Sequence, residues 1–340
     1  MGAVGLYTHI QGNNVRSALL LAGFPVLLLG LTYALTLGLI GFGMLPSTGS
    51  TGGDFGLAGG YMLAGAPLAL LVTVVWFTIA WFANTAIIDL VTGARPVTRQ
   101  QEPGLYNLLE NLCISRGIPM PGLRIIDSEA LNAFASGLNQ KQYSITVTTG
   151  LMTTLDQAEM ECVLGHELTH ILNRDVRTMV IAAVFAGIIT LVAQLLFRSV
   201  QFGGLGRRRG GDSKGNGLFI VIAFAAAAIG YLLAIVIRMA LSRSREFVAD
   251  AGSVELTKNP DAMISALRKI EGHAALPAPE SVQGMFIENQ ETGFYSLFAT
   301  HPPISKRIDA LVKFASGHDA PVQIVETTPA GPWSRKGPWG

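Results

Sequence analysis

Leu155-Asp156-Gln157-Ala158-Glu159-Met160-Glu161-Cys162-Val163-Leu164-Gly165-His166-Glu167-Leu168-Thr169-His170-Ile171-Leu172-Asn173 is the stretch on which the reading of this chain turns. Asp156 followed three residues later by Glu159 is a capping box, and it predicts a helix that starts there. Val163, Leu164, Ile171 and Leu172 give that helix an apolar side. His166 and His170 stand one turn apart and point the same way. Two imidazoles so placed can hold one zinc ion, and Glu167 beside them can act as general base on a zinc-bound water. Cys162 shares the face, but about 12 Å of helix separates it from His170, too far for one ion. It reads as core packing.

Composition sets the surroundings. The chain has 340 residues, of which 50% are hydrophobic and only 14% charged, well under the quarter usual for soluble domains. A membrane protein is the default. The net charge of +1 and the lack of a long basic run exclude a nucleic-acid surface. Two cysteines, Cys113 and Cys162, give no disulfide framework, which fits a reducing compartment.

Four uncharged segments are long enough to cross a bilayer: 18–45, 61–83, 178–197 and 215–237. Residues 1–88 thus form an N-terminal membrane hairpin, with a Gly/Ser/Thr loop from Pro46 to Gly60. Residues 89–177 are the first soluble block and carry the active helix. It opens with a helix around Leu105 to Arg116, followed by strand-like runs at Leu123 to Ile126, Ala133 to Ala135 and Tyr143 to Thr149. Residues 178–237 form a second hairpin, whose connecting loop contains Arg207, Arg208 and Arg209. Residues 238–319 complete the soluble part, and the Pro/Gly-rich stretch 320–340 reads as a disordered tail. The expected fold is a mainly α membrane protein, with four hydrophobic helices and an α+β zinc metalloprotease domain of gluzincin type built around a small sheet. Arg16, Arg95, Arg99, Arg174, Arg177, Arg238, Arg243 and Arg245 lie on the catalytic side of these segments. Arg198, Arg207, Arg208, Arg209 and Lys214 lie on the other. The balance favours a cytosolic catalytic domain.

A catalytic zinc site wants three protein ligands and an open position. A metzincin would have its third His at position 176, but Val176 stands there, and Asn173 replaces the glycine. The better candidate lies in Ser244-Arg245-Glu246-Phe247-Val248-Ala249-Asp250. Glu246 and Asp250 share a helical face, so one can bind metal while the other orients a ligating His. If the helices run unbroken from the second hairpin, His170 and Glu246 stand about 12 and 13 Å from the same membrane face. They arrive at one height.

With these motifs in hand, the chain resembles the HtpX membrane zinc metalloproteases, relatives of the CAAX prenyl proteases. His-Glu-Leu-Thr-His followed by Asn173-Arg174-Asp175, the hydrophobic pair, and Ser-Arg-Glu-Phe-Val-Ala-Asp carry the likeness. Asn132-Ala133-Phe134-Ala135-Ser136-Gly137 and Thr300-His301-Pro302-Pro303 match as well. The resemblance implies one zinc per subunit held by His166, His170 and Glu246, with Glu167 catalytic. It also implies a quality-control endopeptidase of the bacterial inner membrane, whose partners are the bilayer and polypeptide substrates.

Lesser motifs bear on substrate and rivals. Asn132 to Gly137 and the Tyr143 to Thr149 run can offer a strand edge to an extended peptide. His301 can stabilise an oxyanion, or simply precede a proline-started helix. Asn259-Pro260-Asp261 raises a site-2-type intramembrane protease, but Lys258 and a helix N-cap role for Asp261 argue against it. A non-enzymatic scaffold or carrier would place ionisable groups within its spans, and the four segments contain none.

Overall fold

The computed structural model of the chain describes residues 6–179, 216–275 and 302–319, together with positions 194, 198 and 286. The third hydrophobic segment from 180 on (apart from 194), His301 and the 320–340 tail lie outside the described residues. The chain divides into two compact units. One comprises residues 1–14, 82–180 and 238–340, the other residues 15–81 and 181–237.

Helix α1 spans Leu6–Gly41 and α2 spans Thr51–Thr92, with residues 15–41 and 51–81 of them in the second unit. Helix therefore begins well before residue 18 and replaces much of the glycine-rich loop expected over 46–60. Packing explains the second departure. Asp54 is buried in the first turn of α2, where its carboxylate accepts bonds from Ser47 Oγ at 2.7 Å, the Thr48 amide at 2.6 Å and Thr48 Oγ1 at 2.9 Å. Ala58, with Phe55 beside it, packs on Leu37, Ile40 and Phe219, and the Phe55 ring meets Phe219 edge-on at 5.3 Å. Burial of each such side chain, about 1.5–3 kcal/mol, outweighs the roughly 1 kcal/mol that a helical glycine costs. Among the described residues no helix is long and apolar enough to cross a membrane.

The first unit is built on a small mixed sheet. Its strands are β1 (Arg95–Pro96), β2 (Gly122–Ile126), β3 (Ala133–Ser136) and β4 (Ser144–Thr148), in the order β1-β2-β4-β3. β2 and β4 are parallel, with Ile125 beside Val147, and β3 runs antiparallel to β4 with Ala135 opposite Ile145. Every residue of β3 and β4 is buried, as strands covered on both faces require. Helix α3 (Pro103–Arg116) presents Leu105, Leu108, Leu109 and Leu112 inward at helical spacing and stops at Gly117, whose φ of 64° only glycine adopts cheaply.

Helix α4 (Thr149–Thr154) leads into α5 (Gln157–Leu172), which lies against β3, β4 and α3. The capping box forms as expected. Glu159 N donates to Asp156 Oδ1 at 2.9 Å, and Asp156 N donates to Glu159 Oε2 at 2.8 Å. Glu159 also takes Lys269 Nζ at 2.7 Å and Ser265 Oγ at 2.6 Å, which ties α5 to α7 (Pro260–Ile270). Here one expectation is corrected. Asn259, not Asp261, caps α7, because its Oδ1 accepts the Ala262 amide at 3.0 Å, while Asp261 bonds the His318 amide at 2.6 Å.

Helix α6 (Asn216–Thr257) runs unbroken through Glu246 and Asp250, but α5 does not continue past residue 172. Arg174 takes a left-handed φ of 59°, and helix resumes at Asp175. α5 and α6 approach closely at two glycines. A methyl on Gly252 would stand 2.4 Å from Thr169 Cγ2, and one on Gly165 would stand 3.2 Å from Ser253 Oγ. Ser253 Oγ in turn donates to the Cys162 carbonyl at 2.5 Å. Helix α8 (Ile304–Ala315) packs on α7.

Candidate metal centre

The close crossing of α5 and α6 brings His166, His170 and Glu246 together, all buried. His166 Nε2 and His170 Nε2 are 3.2 Å apart. Glu246 Oε2 lies 3.5 Å from the first and Oε1 lies 3.6 Å from the second. Ligand atoms each about 2.0–2.2 Å from a tetrahedral ion must stand roughly 3.3–3.6 Å from one another. The pocket has that spacing before any ion is considered, so the three residues fit a metal.

The outer nitrogens point the other way. His166 Nδ1 is 2.9 Å from Asp250 Oδ1, and His170 Nδ1 is 3.1 Å from Asp175 Oδ2. A carboxylate on Nδ1 fixes the tautomer that carries its proton there and leaves the Nε2 lone pair for a cation. Asp175 owes its position to the helix break. Five residues along an unbroken helix it would face about 140° away from His170. The left-handed Arg174 turns the chain so that the carboxylate reaches back.

Two guanidiniums close the cluster. Arg307 is fully buried, and its Nε and Nη2 grip Asp250 at 2.9 and 2.6 Å, while Nη1 lies 3.5 Å from Glu246 Oε2. Arg245 donates to the Asp175 carbonyl at 3.3 Å and lies 3.8 Å from its Oδ1. Burial would raise the Asp250 carboxyl, but the Arg307 charge and its hydrogen bonds outweigh this and hold it low. Burial would likewise depress the His166 imidazole, yet Asp250 and Glu246 carry it up to about 9 in the metal-free pocket. Glu167 is buried beside the ligands. Desolvation raises its pKa, with the His166 and His170 charges opposing, and the Ala135 amide of β3 donates to it.

Five of the sequence-derived candidates therefore meet at one place: His166, Glu167, His170, Glu246 and Asp250. His301 lies outside the described residues. Asp261, the rival third ligand, is instead paired with His318, its side chain 54% exposed. Two residues were missed. Asp175 had been noted only as part of a motif, and no helical spacing links it to His170. Arg307 carried a readable signal, because it interrupts the buried stripe Ile304, Ile308, Leu311 of α8. An arginine on an apolar face is rarely buried unless paired.

Comparison with known proteins bears on the family of the chain. Residues 99–315 match the model of Peptidase family M48. A protease HtpX homolog from Bacteroides fragilis is 43% identical over 92% of this chain and 100% of its own length. One from Streptococcus thermophilus is 37% identical over 90% and 99%, respectively. A crystal structure of S. mikatae Ste24p is similar over 71% of this chain and 57% of that one, at 19% identity and a TM-score of 0.46. Matches of this extent to the family model and to full-length relatives place the chain in peptidase family M48, among the HtpX homologues.

Proposed function

We propose that the chain is a membrane-bound zinc endopeptidase that acts in quality control of membrane proteins. The observation that carries the reading is the convergence of two Nε2 atoms and one carboxylate at ligand spacing, each imidazole being held from behind by an aspartate. Zinc held by His166, His170 and Glu246 would supply a Lewis acid that polarises the scissile carbonyl and acidifies water. Glu167 takes the proton of the attacking water and passes it to the leaving amine, a task suited to a carboxylate whose buried setting raises its pKa. His166 and His170 keep their rings fixed through the exchange because Asp250 and Asp175 hold the Nδ1 protons.

β3 supports a polypeptide substrate. It is the last strand of the sheet, and its Ala135 amide donates to Glu167 rather than to β4, so its outer edge faces the catalytic glutamate. An extended chain added there as a further strand would lie with its backbone along the reacting groups. At its start β3 is already engaged, since the Leu131 amide donates to the His273 carbonyl and Asn132 Nδ2 to that of Ala274, so an added strand would lie beyond Asn132.

The membrane reading rests on what the long helices expose. Leu63, Leu68, Leu71, Val74 and Phe82 of α2 are all exposed, as are Leu19 and Val26 of α1 and Val221 of α6. No charge interrupts α2 between Asp54 and Asp89. Apolar surface on this scale is foreign to soluble monomers. Among the described residues no helix is long and apolar enough to cross, and the reading is carried by the exposed apolar side chains and the uncharged run of α2. The distribution of arginines favours a cytoplasmic catalytic domain in the bacterial inner membrane. A cysteine at Gln100 should react with an impermeant reagent only after the cytosolic face is opened, and labelling in intact cells would reverse the orientation.

The enzyme itself is tested by Glu167→Gln. This variant should keep wild-type zinc content and lose at least about 10²-fold in proteolysis, self-cleavage included. Loss of zinc, or retained activity, would remove Glu167 from the role of base.

A further inference from the structure

The Asp250 carboxylate serves two groups at once. Its Oδ1 meets both His166 Nδ1 at 2.9 Å and Arg307 Nη2 at 2.6 Å, while its Oδ2 meets Arg307 Nε at 2.9 Å. A guanidinium is a rigid planar fork, so two parallel bonds fix the plane of the carboxylate as well as its position. Only one direction at Oδ1 then remains for the imidazole. Stability does not explain a fully buried arginine here, because a well-packed apolar residue is commonly as good or better.

We propose that Arg307 is a positioning residue for the metal: through Asp250 it sets the orientation of the His166 ring and hence the direction of its Nε2 lone pair. It rests on the zinc reading above. Three helices meet in this relay, with His166 from α5, Asp250 from α6 and Arg307 from α8. Nη1 of the same guanidinium lies 3.5 Å from Glu246 Oε2, so its charge also acts on a second of the three ligands. The His170 side has a counterpart in Arg245, whose Nη1 lies 3.8 Å from Asp175 Oδ1 and donates to the Asp175 carbonyl at 3.3 Å.

The test uses the full chain in detergent, with Arg307→Gln, Arg307→Lys, Asp250→Asn and the double variant Arg307→Gln/Asp250→Asn. Zinc affinity is read by competition with a chelator, the ligand field by the visible spectrum of the cobalt-substituted protein, and folding by the melting temperature of the metal-free protein. Arg307→Gln should weaken zinc by about 10 to 100-fold, the range seen when groups behind a ligand are removed. Arg307→Lys keeps the charge without the fork, and should bind zinc more weakly than wild type but more tightly than the Gln variant. The cobalt spectrum should shift in both. Because Arg307 acts through Asp250, the double variant should lose far less than the product of the two single losses. Wild-type zinc affinity and an unchanged cobalt spectrum in a folded Arg307 variant would overturn the proposal, as would losses that multiply. A purely structural arginine would lower the metal-free melting temperature and leave both metal readouts alone. If Arg307→Gln does not fold, the Lys variant decides by the same criteria. Failure of the wild type to bind zinc would instead remove the reading on which the proposal rests.

Discussion

His166 and His170 sit four residues apart on one helix and turn the same nitrogen to the same point, yet they are held in opposite ways. On the His170 side the carboxylate is local, although Arg245 of α6 stands behind it. Asp175 reaches the ring within five residues of chain, through a left-handed residue at Arg174 that an ordinary side chain adopts at a cost of roughly 1–2 kcal/mol. The His166 arm is built from afar, with Asp250 and Arg307 arriving on separate helices and gripping each other by two charged hydrogen bonds. The difference teaches that ligand spacing on α5 comes from the helix itself, whereas ring orientation comes from tertiary structure on one side and from a strained turn on the other.

Removing both arms should have the largest effect. In Asp175→Asn/Asp250→Asn each imidazole loses its charged partner, and zinc affinity should fall below that of either single variant, each of which should lose about 10 to 100-fold. A double variant no worse than the weaker single one would show that the arms are not independent. Next come the single variants, and here the comparison sharpens. Asp250→Asn takes from the buried Arg307 the carboxylate charge it grips by two hydrogen bonds, so its loss should fall near the upper end of that range and exceed that of Asp175→Asn. Chelator competition on the two proteins side by side checks the order, and the reverse order would break the account of the two arms.

A smaller effect is expected at the crossing of α5 and α6. In Gly252→Ala the new methyl meets Thr169, one residue before His170, and the overlap should cost about 1–3 kcal/mol of stability. In Gly165→Ala the tightest approach is 3.2 Å, to Ser253 Oγ, and the cost should be smaller. Melting of the metal-free proteins measures both. Equal melting temperatures for the two variants would mean that the crossing is not as tight at Gly252 as its geometry implies.

How much of this was legible in the sequence follows the same division. Periodicity and capping chemistry act over a few residues, and so the α5 capping box, α3, the three longer strands and the Glu246/Asp250 face were readable from short-range spacing. The loop over 46–60 was misread because its glycines and hydroxyl residues carry a local turn signal, whereas the packing of Phe55 and Ala58 against Leu37 and Phe219 is long-range. The break at Asn173-Arg174 escaped for the converse reason, since nothing in an Asn-Arg-Asp triplet announces a left-handed residue. Asp175 was thus present in the sequence without its role. Arg307 was the accessible omission, a charge on the apolar stripe of α8 that could have been counted against its neighbours.

The most direct test of the central claim is zinc stoichiometry and affinity by equilibrium dialysis, for wild type beside Glu246→Gln. Zinc held by two imidazoles alone is weakly bound and exchangeable, and in the proposed site the carboxylate from α6 would complete a three-ligand set. The account predicts one tightly bound zinc per chain in the wild type, and loss of both tight binding and peptidase activity in Glu246→Gln even when free metal is raised to the wild-type saturating level. Full zinc affinity in Glu246→Gln would contradict it and move the third ligand elsewhere.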